Sequence, residues 1–341
     1  MKNYLLQLAE KQSFSENQMK EVFDFILGEE VSESEIAAFM MGLKSKGETV
    51  EEITGIVKSL KNHTLTFKRK FPNVLDNCGT GGDGSSSFNV STTSAFVIAA
   101  AGVPVAKHGN RSISSKTGSA DVLEHLGINL NISAEKTEEI LEDIGIAFLF
   151  APHVHPKLKK ITMVRKQLKI PTIFNFIGPL TNPLELDYQL LGVYRRDLLN
   201  VFTEVLHKLG RKRAVVINGA GYLDEASLQG ENHFTLLENG RITNHSFFPE
   251  EMNLSRYDNS CIKGGDSKEN AEILVKVLKG EHGAHLDTVV LNAGIGIFTA
   301  GKTDTIKDGI ELAREMIQTG AAYEKLTSLI EKSKASRKEA I

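Results

Sequence analysis

The stretch DNCGTGGDGSSSFNVSTTSAFVIAAAG, residues 76–102, sets glycines at 79, 81, 82 and 84 between a short apolar segment and a long apolar run. Gly79, Gly81 and Gly82 permit positive φ and let backbone amides approach an oxyanion closely. The run opened by Asn89, Ser91 and Thr92 reads as a helix ending at Gly102. A helix N-terminus favours negative charge through its open amides and its dipole. The loop is not a Walker A sequence, because no Gly-Lys-Ser/Thr follows, and it is not GxGxxG. Taken alone it serves equally well as a tight strand-to-helix turn that holds nothing.

Outward from this loop, strand-like runs alternate with helical ones. NVLDN leads into the glycines, VPVAKHG is the next strand, and SADVLEHLG is a helix closed by Gly127. AFLFAP, the helical HPKLKKITMVRKQL, YQLLGVY, the helix DLLNVFTEVLHKLG and the strand RAVVING continue the pattern. Such alternation predicts a mostly parallel sheet flanked by helices, with ligands beyond the carboxyl ends of its strands. Residues 226–262 read as short strands and turns, a local antiparallel elaboration, and the chain returns to helix from about Ser267. The last stretch, EKSKASRKEAI, reads as a frayed polar tail.

The first 60 or so residues predict three capped helices instead. Ser15 with Gln18, Ser32 with Glu35, and Thr49 with Glu52 fit the capping box, and Phe14 with Met19 and Val31 with Ile36 sit at hydrophobic-staple spacing. Gly28 and Gly47 fall where helices should stop, and Ile36, Phe39, Met40 and Leu43 form one apolar stripe. The fold class is therefore α/β, with a small all-helical N-terminal domain over residues 1–70, joined by part of 160–185. A larger α/β domain with a mostly parallel central sheet should span 71–341.

The 341 residues carry a net charge of −3, with 41% hydrophobic and 24% charged residues. That balance gives no general attraction for nucleic acid or an anionic membrane, so any anion site is local. Two cysteines, Cys78 and Cys261, make neither a disulfide framework nor a zinc cluster. The N-terminus lacks a secretory apolar region, and AFVIAAAGVPVA is too short to span a bilayer. A cytoplasmic protein is expected.

A second stretch, KHGNRSISSKTGSAD (107–121), brings Lys107 and Arg111 together with Ser112, Ser114, Ser115 and Ser119. Such a loop suits charge-assisted hydrogen bonds to phosphate. By itself it is equally a solvated basic loop, but two such loops on adjacent βα units favour a shared anion.

GTGGDG, FNVST, KHGNRSISSKTGSADVLEHLG, FNFIGPLTNP and DEASL, in that order, resemble the anthranilate phosphoribosyltransferases. GTGGD and GSAD alone are shared with the pyrimidine nucleoside phosphorylases. The sequence departs from the usual pattern at Ser87 and Val90, where the family often has threonine and isoleucine, and both keep the chemistry. The resemblance implies transfer of the phosphoribosyl group of phosphoribosyl pyrophosphate (PRPP) to the amine of anthranilate, in tryptophan biosynthesis. It implies PRPP contacts from Gly79, Gly82, Asp83, Ser87, Asn89, Val90, Ser91, Thr92, Lys107, His108, Gly109, Asn110 and Arg111. Ser112, Ile113, Ser114, Ser115 and Ser119 would complete them. Gly79, Asn110 and Arg165 would meet anthranilate, with Lys107, Asn110 and Arg165 positioning the reactants and no residue acting as nucleophile. Ser91, Asp224 and Glu225 would hold Mg2+, two ions per site, and the chain would form a homodimer.

Other signals count for less. His153 and His155 resemble a metal pair but lack a third ligand at a recognised spacing. Cys78 has no histidine partner in the sequence to activate it, and reads as a small buried residue. His108 could serve as a base, although its place inside the loop suggests positioning. The rival readings are a pyrimidine nucleoside phosphorylase and a non-catalytic, nucleic-acid-binding relative of the same fold.

Overall fold

The computed structural model describes residues 1–28, 30–111 and 117–335. Ser112, Ile113, Ser114 and Ser115, expected in the second anion loop, lie outside these residues, as does the chain from 336 onward.

Four helices open the chain rather than three: α1 (Lys2–Ala9), α2 (Glu16–Ile26), α3 (Glu33–Lys46) and α4 (Val50–Asn62). The last three carry complete capping boxes at Ser15, Ser32 and Thr49. Helix α1 has no side-chain cap, so it lacks the signal that marks its neighbours. Phe14, Met19, Val31 and Ile36 are all buried, as staple residues must be.

The sheet is built from β1 (Leu75–Gly79), β2 (Val105–Gly109), β3 (Ile146–Phe150), β4 (Tyr188–Gly192), β5 (Arg213–Asn218), β6 (Asn232–Glu238) and β7 (Arg241–Phe247). Its order is β3-β2-β1-β4-β5-β6-β7, parallel through β5 and antiparallel for the final two strands. Asn239 and Gly240, at φ 51° and 73°, turn β6 into β7 with the doubled positive φ that a tight hairpin needs. The chain runs outward from β1 to β2 and β3, then returns to place β4 on the other flank of β1. That reversal is a topological switch point, and it opens a crevice at the carboxyl ends of β1 and β4.

Crossovers are made by α5 (Val90–Ala100), then α6 (Ser119–His125) and α7 (Ala134–Ile144), then α8 (Ala151–Val154) and α9 (Lys159–Leu168), and α10 (Leu199–Lys208). Helix α7 lies in a stretch that the sequence pattern leaves unassigned, although Ser133 caps it and Gly145, at φ 74°, ends it. The chain closes with α11 (Ser267–Leu278), α12 (Ala284–Thr299), α13 (Ile306–Gln318) and α14 (Ala321–Ala335). Helix α14 runs through the start of the expected frayed tail, and Ser333 is buried there, accepting from Asn129 N at 3.2 Å. The apolar run 95–101, Ala100 apart, is buried because α5 packs between the sheet, α12 and α14. Among the described residues no helix is long and apolar enough to cross a membrane.

The apolar interior forms two bodies. One joins α5, α12 and α14 to the sheet. The other joins the first four helices to Ile161, Val164, Ile173, Phe174 and Leu180, and continues through Phe202 onto Val216 of β5. The helical bundle thus shares one core with the 161–180 segment and one face of the sheet.

Candidate functional site

Beyond β1 the loop takes positive φ at Gly81, Gly82 and Gly84, of 69°, 81° and 73°. Gly79 differs from the expectation: it ends the strand, and its need for glycine is steric. A Cβ there would sit 2.2 Å from Asp224 Oδ2, and one at Gly192, which ends β4, would sit 1.6 Å from the Asp224 carbonyl oxygen. Asp224 therefore passes between the two strand ends in the switch-point crevice, and its Oδ2 accepts from Gly81 N at 2.6 Å. Nothing in the sequence marks Gly192, because the residue it must clear lies 32 positions away along the chain.

The descending limb of the loop is stitched down. Asp83 Oδ1 accepts from Ser85 N at 3.0 Å, and Ser87 bridges to Lys263. Asn89 then starts α5 without a side-chain cap, its Oδ1 accepting instead from Asn270 Nδ2 at 3.0 Å. In the first turn of α5 the Val90 amide donates to Phe88 O at 2.7 Å and the Ser91 amide faces the Glu225 carboxylate, so the positive end of the helix dipole points at the crevice with a carboxylate already beside it. Val90 and Thr92 turn their side chains inward, and Thr92 Oγ1 has no partner. Contacts to a ligand from Val90 would be through its backbone.

Asp224, Glu225 and Asp83 gather beside this helix start. Burial, then the charges of Asp83 and Glu225, push the Asp224 carboxyl well above its ordinary range. Glu225 is pushed up to about 7 by burial, with Lys107 and the Ser91 hydroxyl and amide opposing. Lys107 is itself buried and donates to Asn77 O. Asn77 Nδ2 in turn donates to Ser91 O at 2.8 Å, so this ammonium braces the helix start from beneath. Three carboxylates against one ammonium leave a surplus of negative charge in a recess, which calls for a cation. The donors are all oxygen, as a hard cation prefers. Among the described residues no group of three or more His, Cys, Asp or Glu side chains could hold a metal unaided. The set fits an ion such as Mg2+ that keeps substrate phosphates and water in its shell.

The second loop leaves β2 at Gly109, where a Cβ would meet the Phe148 ring at 2.4 Å and Ser119 Oγ at 2.5 Å. Ser119 Oγ donates to Asn110 O at 3.2 Å, and the Asn110 side chain is exposed. Arg111 is engaged already, to Asp121 at 2.8 Å and Glu124 at 2.7 Å. His108 is buried, its Nδ1 within 3.2 Å of Gly178 O, with His155 packed edge-on at 5.3 Å. Burial, then His155, pushes His108 down to about 3, so its ring is neutral and a weak base. His153 is exposed and does not join His155 in a metal pair.

Beneath both loops lies a group the sequence did not single out. Asp76 is fully buried and accepts from His108 N at 3.2 Å and Asn182 Nδ2 at 2.9 Å. Asn182 also donates to Ala106 O at 2.8 Å, so the pair ties the ends of β1 and β2 to the 178–182 turn. Cys78 Sγ lies 3.6 Å from Asp76, and burial holds the thiol well above its usual range, which makes it inert.

The segment after α9 forms the opposite wall. Its Gly178 meets His108, its Phe176 packs on Tyr194 at 5.6 Å, and Tyr194 faces Gly82. Phe174 of the same segment sits 5.8 Å beneath the guanidinium of Arg165. Arg165 is half-buried with no carboxylate partner among the described residues, a cation available to an incoming anion.

Comparison with known proteins adds the following. A model of the glycosyl transferase family, a/b domain, matches residues 71–323, and the helical bundle domain of the same family matches residues 2–64. The chain is 54% identical over 330 residues to an anthranilate phosphoribosyltransferase of Bacillus cereus (strain B4264), covering 97% of each chain. It superposes on the anthranilate phosphoribosyltransferase of Thermus thermophilus with a TM-score of 0.92 and 38% identity, over 97% of this chain and 99% of that one. The Saccharomyces cerevisiae enzyme, solved in complex with PRPP and Mg, gives a TM-score of 0.90 and 25% identity over 98% and 97% of the two chains.

Proposed function

The chain belongs to the anthranilate phosphoribosyltransferase family, and from that membership we propose that it transfers the phosphoribosyl group of PRPP to the amine of anthranilate, giving N-(5-phosphoribosyl)anthranilate and pyrophosphate in tryptophan biosynthesis. The observation that carries the reading is the switch-point crevice, where the glycine-loop backbone, a helix N-terminus and a surplus of carboxylates converge. A magnesium–pyrophosphate group satisfies both at once.

The Gly82 amide, the Gly81 amide once it exchanges Asp224 for the ligand, and the start of α5, with Asn89 and Ser91, bind the phosphates. Asp83 belongs with these, and Asp224, Glu225 and Ser91 hold magnesium, in two ions per site. Magnesium, when bound, neutralises charge growing on the departing pyrophosphate. Lys107 acts from below: its buried charge lowers the cost of a polyanion at the helix start. Asn110 and Ser119 flank the second loop, and Arg111 reaches the ligand by exchanging one of its two carboxylate partners. Arg165 takes the anthranilate carboxylate bidentately, and the Phe176–Tyr194 wall fixes the ring plane. Anthranilate then presents its amine to the anomeric carbon as the bond to pyrophosphate breaks. Catalysis rests on positioning and electrostatics, with no covalent intermediate. The weakly basic His108 orients the loop, and the attacking amine loses its proton readily after bond formation.

The helical bundle and the α/β part, divided near residue 70, close on the substrates as two bodies within a cytoplasmic homodimer. The decisive experiment is anthranilate fluorescence. Its loss should require the protein, PRPP and magnesium together. Phosphate-dependent cleavage of thymidine or uridine, with anthranilate untouched, would select a nucleoside phosphorylase instead.

A further inference from the structure

Two adjoining clefts, of about 460 and 260 Å³, open at the amino-terminal ends of β1, β4 and β5. They lie one strand length from the crevice, roughly 17 Å for five residues. Their walls are the connectors between bundle and sheet: the chain from Thr64 to Phe71 leaves α4 for β1, and the chain from Pro183 to Asp187 enters β4.

Six cations line the clefts. Four have acidic partners: Lys68 with Glu135 at 3.7 Å, Arg69 with Glu142, Lys70 with Glu185 at 3.6 Å, and Lys212 with Asp187 at 2.9 Å. The two without a carboxylate at ion-pair distance, among the described residues, are Lys61 and Arg211, and they are the least exposed of the six. Lys61 Nζ reaches only Leu184 O, at 3.4 Å. Arg211 Nε is held by Gln189 Oε1 at 3.0 Å, but its Nη2 has no partner. The ammonium is pushed down to about 8 by burial and then by the Arg211 charge.

Two neighbouring cations in a recess with no acid at ion-pair distance, Glu185 acting on Lys61 and Asp76 and Asp187 on Arg211 only from farther off, form a positive counterpart to the carboxylate surplus at the far ends of the strands. We propose that this recess is a second oxyanion site, which takes the phosphate or carboxylate head of a small molecule between Lys61 and Arg211. Phe67, Phe71 and Leu184 offer an apolar wall for the body of such a ligand. Because Lys61 lies in the last turn of α4 and Arg211 precedes β5, a bound anion ties the helical bundle to the sheet. The site goes beyond the transfer reaction and does not depend on it.

The test is calorimetric titration of the full chain with inorganic phosphate and, separately, with benzoate, at pH 7. Wild type should show a class of sites that Lys61→Gln weakens roughly tenfold or more, the loss of one charge-assisted bond. Lys61→Arg should restore it, and kcat/KM for PRPP should stay unchanged in both variants. Binding of phosphate alone marks a phosphate head, and binding of benzoate alone marks a carboxylate on an aromatic body; either supports the site. A second readout needs no variant: the titration midpoint of Lys61, followed by NMR of methylated lysines, should rise when the anion is added. Isotherms for both anions identical in wild type and Lys61→Gln, or a Lys61 midpoint that does not move, overturn the proposal.

Discussion

Glu52 is buried and Glu225 partly so, and their surroundings could hardly differ more. In the helical bundle, Glu52 accepts from Phe14 N and Thr49 N, each at 2.9 Å, and pairs with Lys46 at 2.8 Å. At the strand ends, Glu225 shares its recess with Asp224 and Asp83 and is pushed up to about 7. Around Glu52 the bundle closes its own electrostatics, so nothing is left there for a ligand to complete. The crevice leaves its charges unsettled, and so the folded chain carries unfavourable interactions that the proposed substrate and ion would relieve. Regions of one chain can be told apart as scaffold or site by whether their buried polar groups are already satisfied.

The strongest way to break this comparison is steric. Gly192→Ala places a Cβ against the Asp224 carbonyl and must displace the carboxylate segment from the crevice. We expect kcat/KM to fall by about 100-fold or more, the penalty of roughly 1 Å of misplacement at a reacting centre. An unchanged kcat/KM would show that Asp224 need not sit where it does. Next in size is Asp224→Asn, which keeps an acceptor for Gly81 N but removes an ionisable carboxyl whose charge burial and its acidic neighbours oppose. Activity should fall at least tenfold, while the apo protein gains about 1 kcal/mol and melts a few degrees higher. If Asp224→Asn lowers Tm instead, the crevice is as self-satisfied as the bundle, and the contrast fails.

The same distinction explains what the sequence discloses. Capping boxes at Ser15, Ser32 and Thr49 are local, complete within four residues, and therefore readable. The alternation of strands and helices is likewise carried by short windows, which is why the parallel sheet and the crevice at its carboxyl ends are legible. What was not legible depends on contacts between distant segments. Gly192 and Asp224 explain each other only in space. Asp76 resembles any acid before a loop until Asn182 and His108 close over it. Asp224–Glu225 looks like a solvated turn in sequence, and its burial comes from the strand ends packed around it. Helix α1 was missed for the opposite reason, since it lacks the local cap that marks the others.

A smaller effect comes from His108 and His155, pushed down to about 3 and about 4 mainly by burial. Their folded pKa values lie below the unfolded value near 6.5, so the unfolded chain takes up protons first as pH falls. Their contribution is whole above about pH 6.5 and is lost between there and about pH 4 for His155 and about pH 3 for His108, at up to ~1.4 kcal/mol per pH unit for each. Glu225 pulls the other way, because its raised carboxyl binds a proton in the folded chain first. The comparison must therefore be between wild type and the His108→Gln/His155→Gln double variant, by denaturant melts at pH 7 and 5. The wild type should lose more stability over that interval. Equal losses would mean that the imidazoles do not titrate as buried groups.

The smallest effect tests whether the bundle is only scaffold. In Ser32→Ala the Oγ that accepts from Glu35 N at 3.3 Å disappears, and with it one half of the capping box. Stability should fall by about 1 kcal/mol. Helix α3 packs against α9, where Gln167 also donates to Glu33 at 3.0 Å, and α9 carries Arg165. A frayed α3 start therefore has a direct route to the proposed anthranilate contact and none to the PRPP loops. If the bundle is scaffold alone, kcat and both KM values stay within about twofold of wild type, since ~1 kcal/mol leaves the native state dominant. A selective rise in the KM for anthranilate, with that for PRPP unmoved, would move the boundary between scaffold and site into α3 itself.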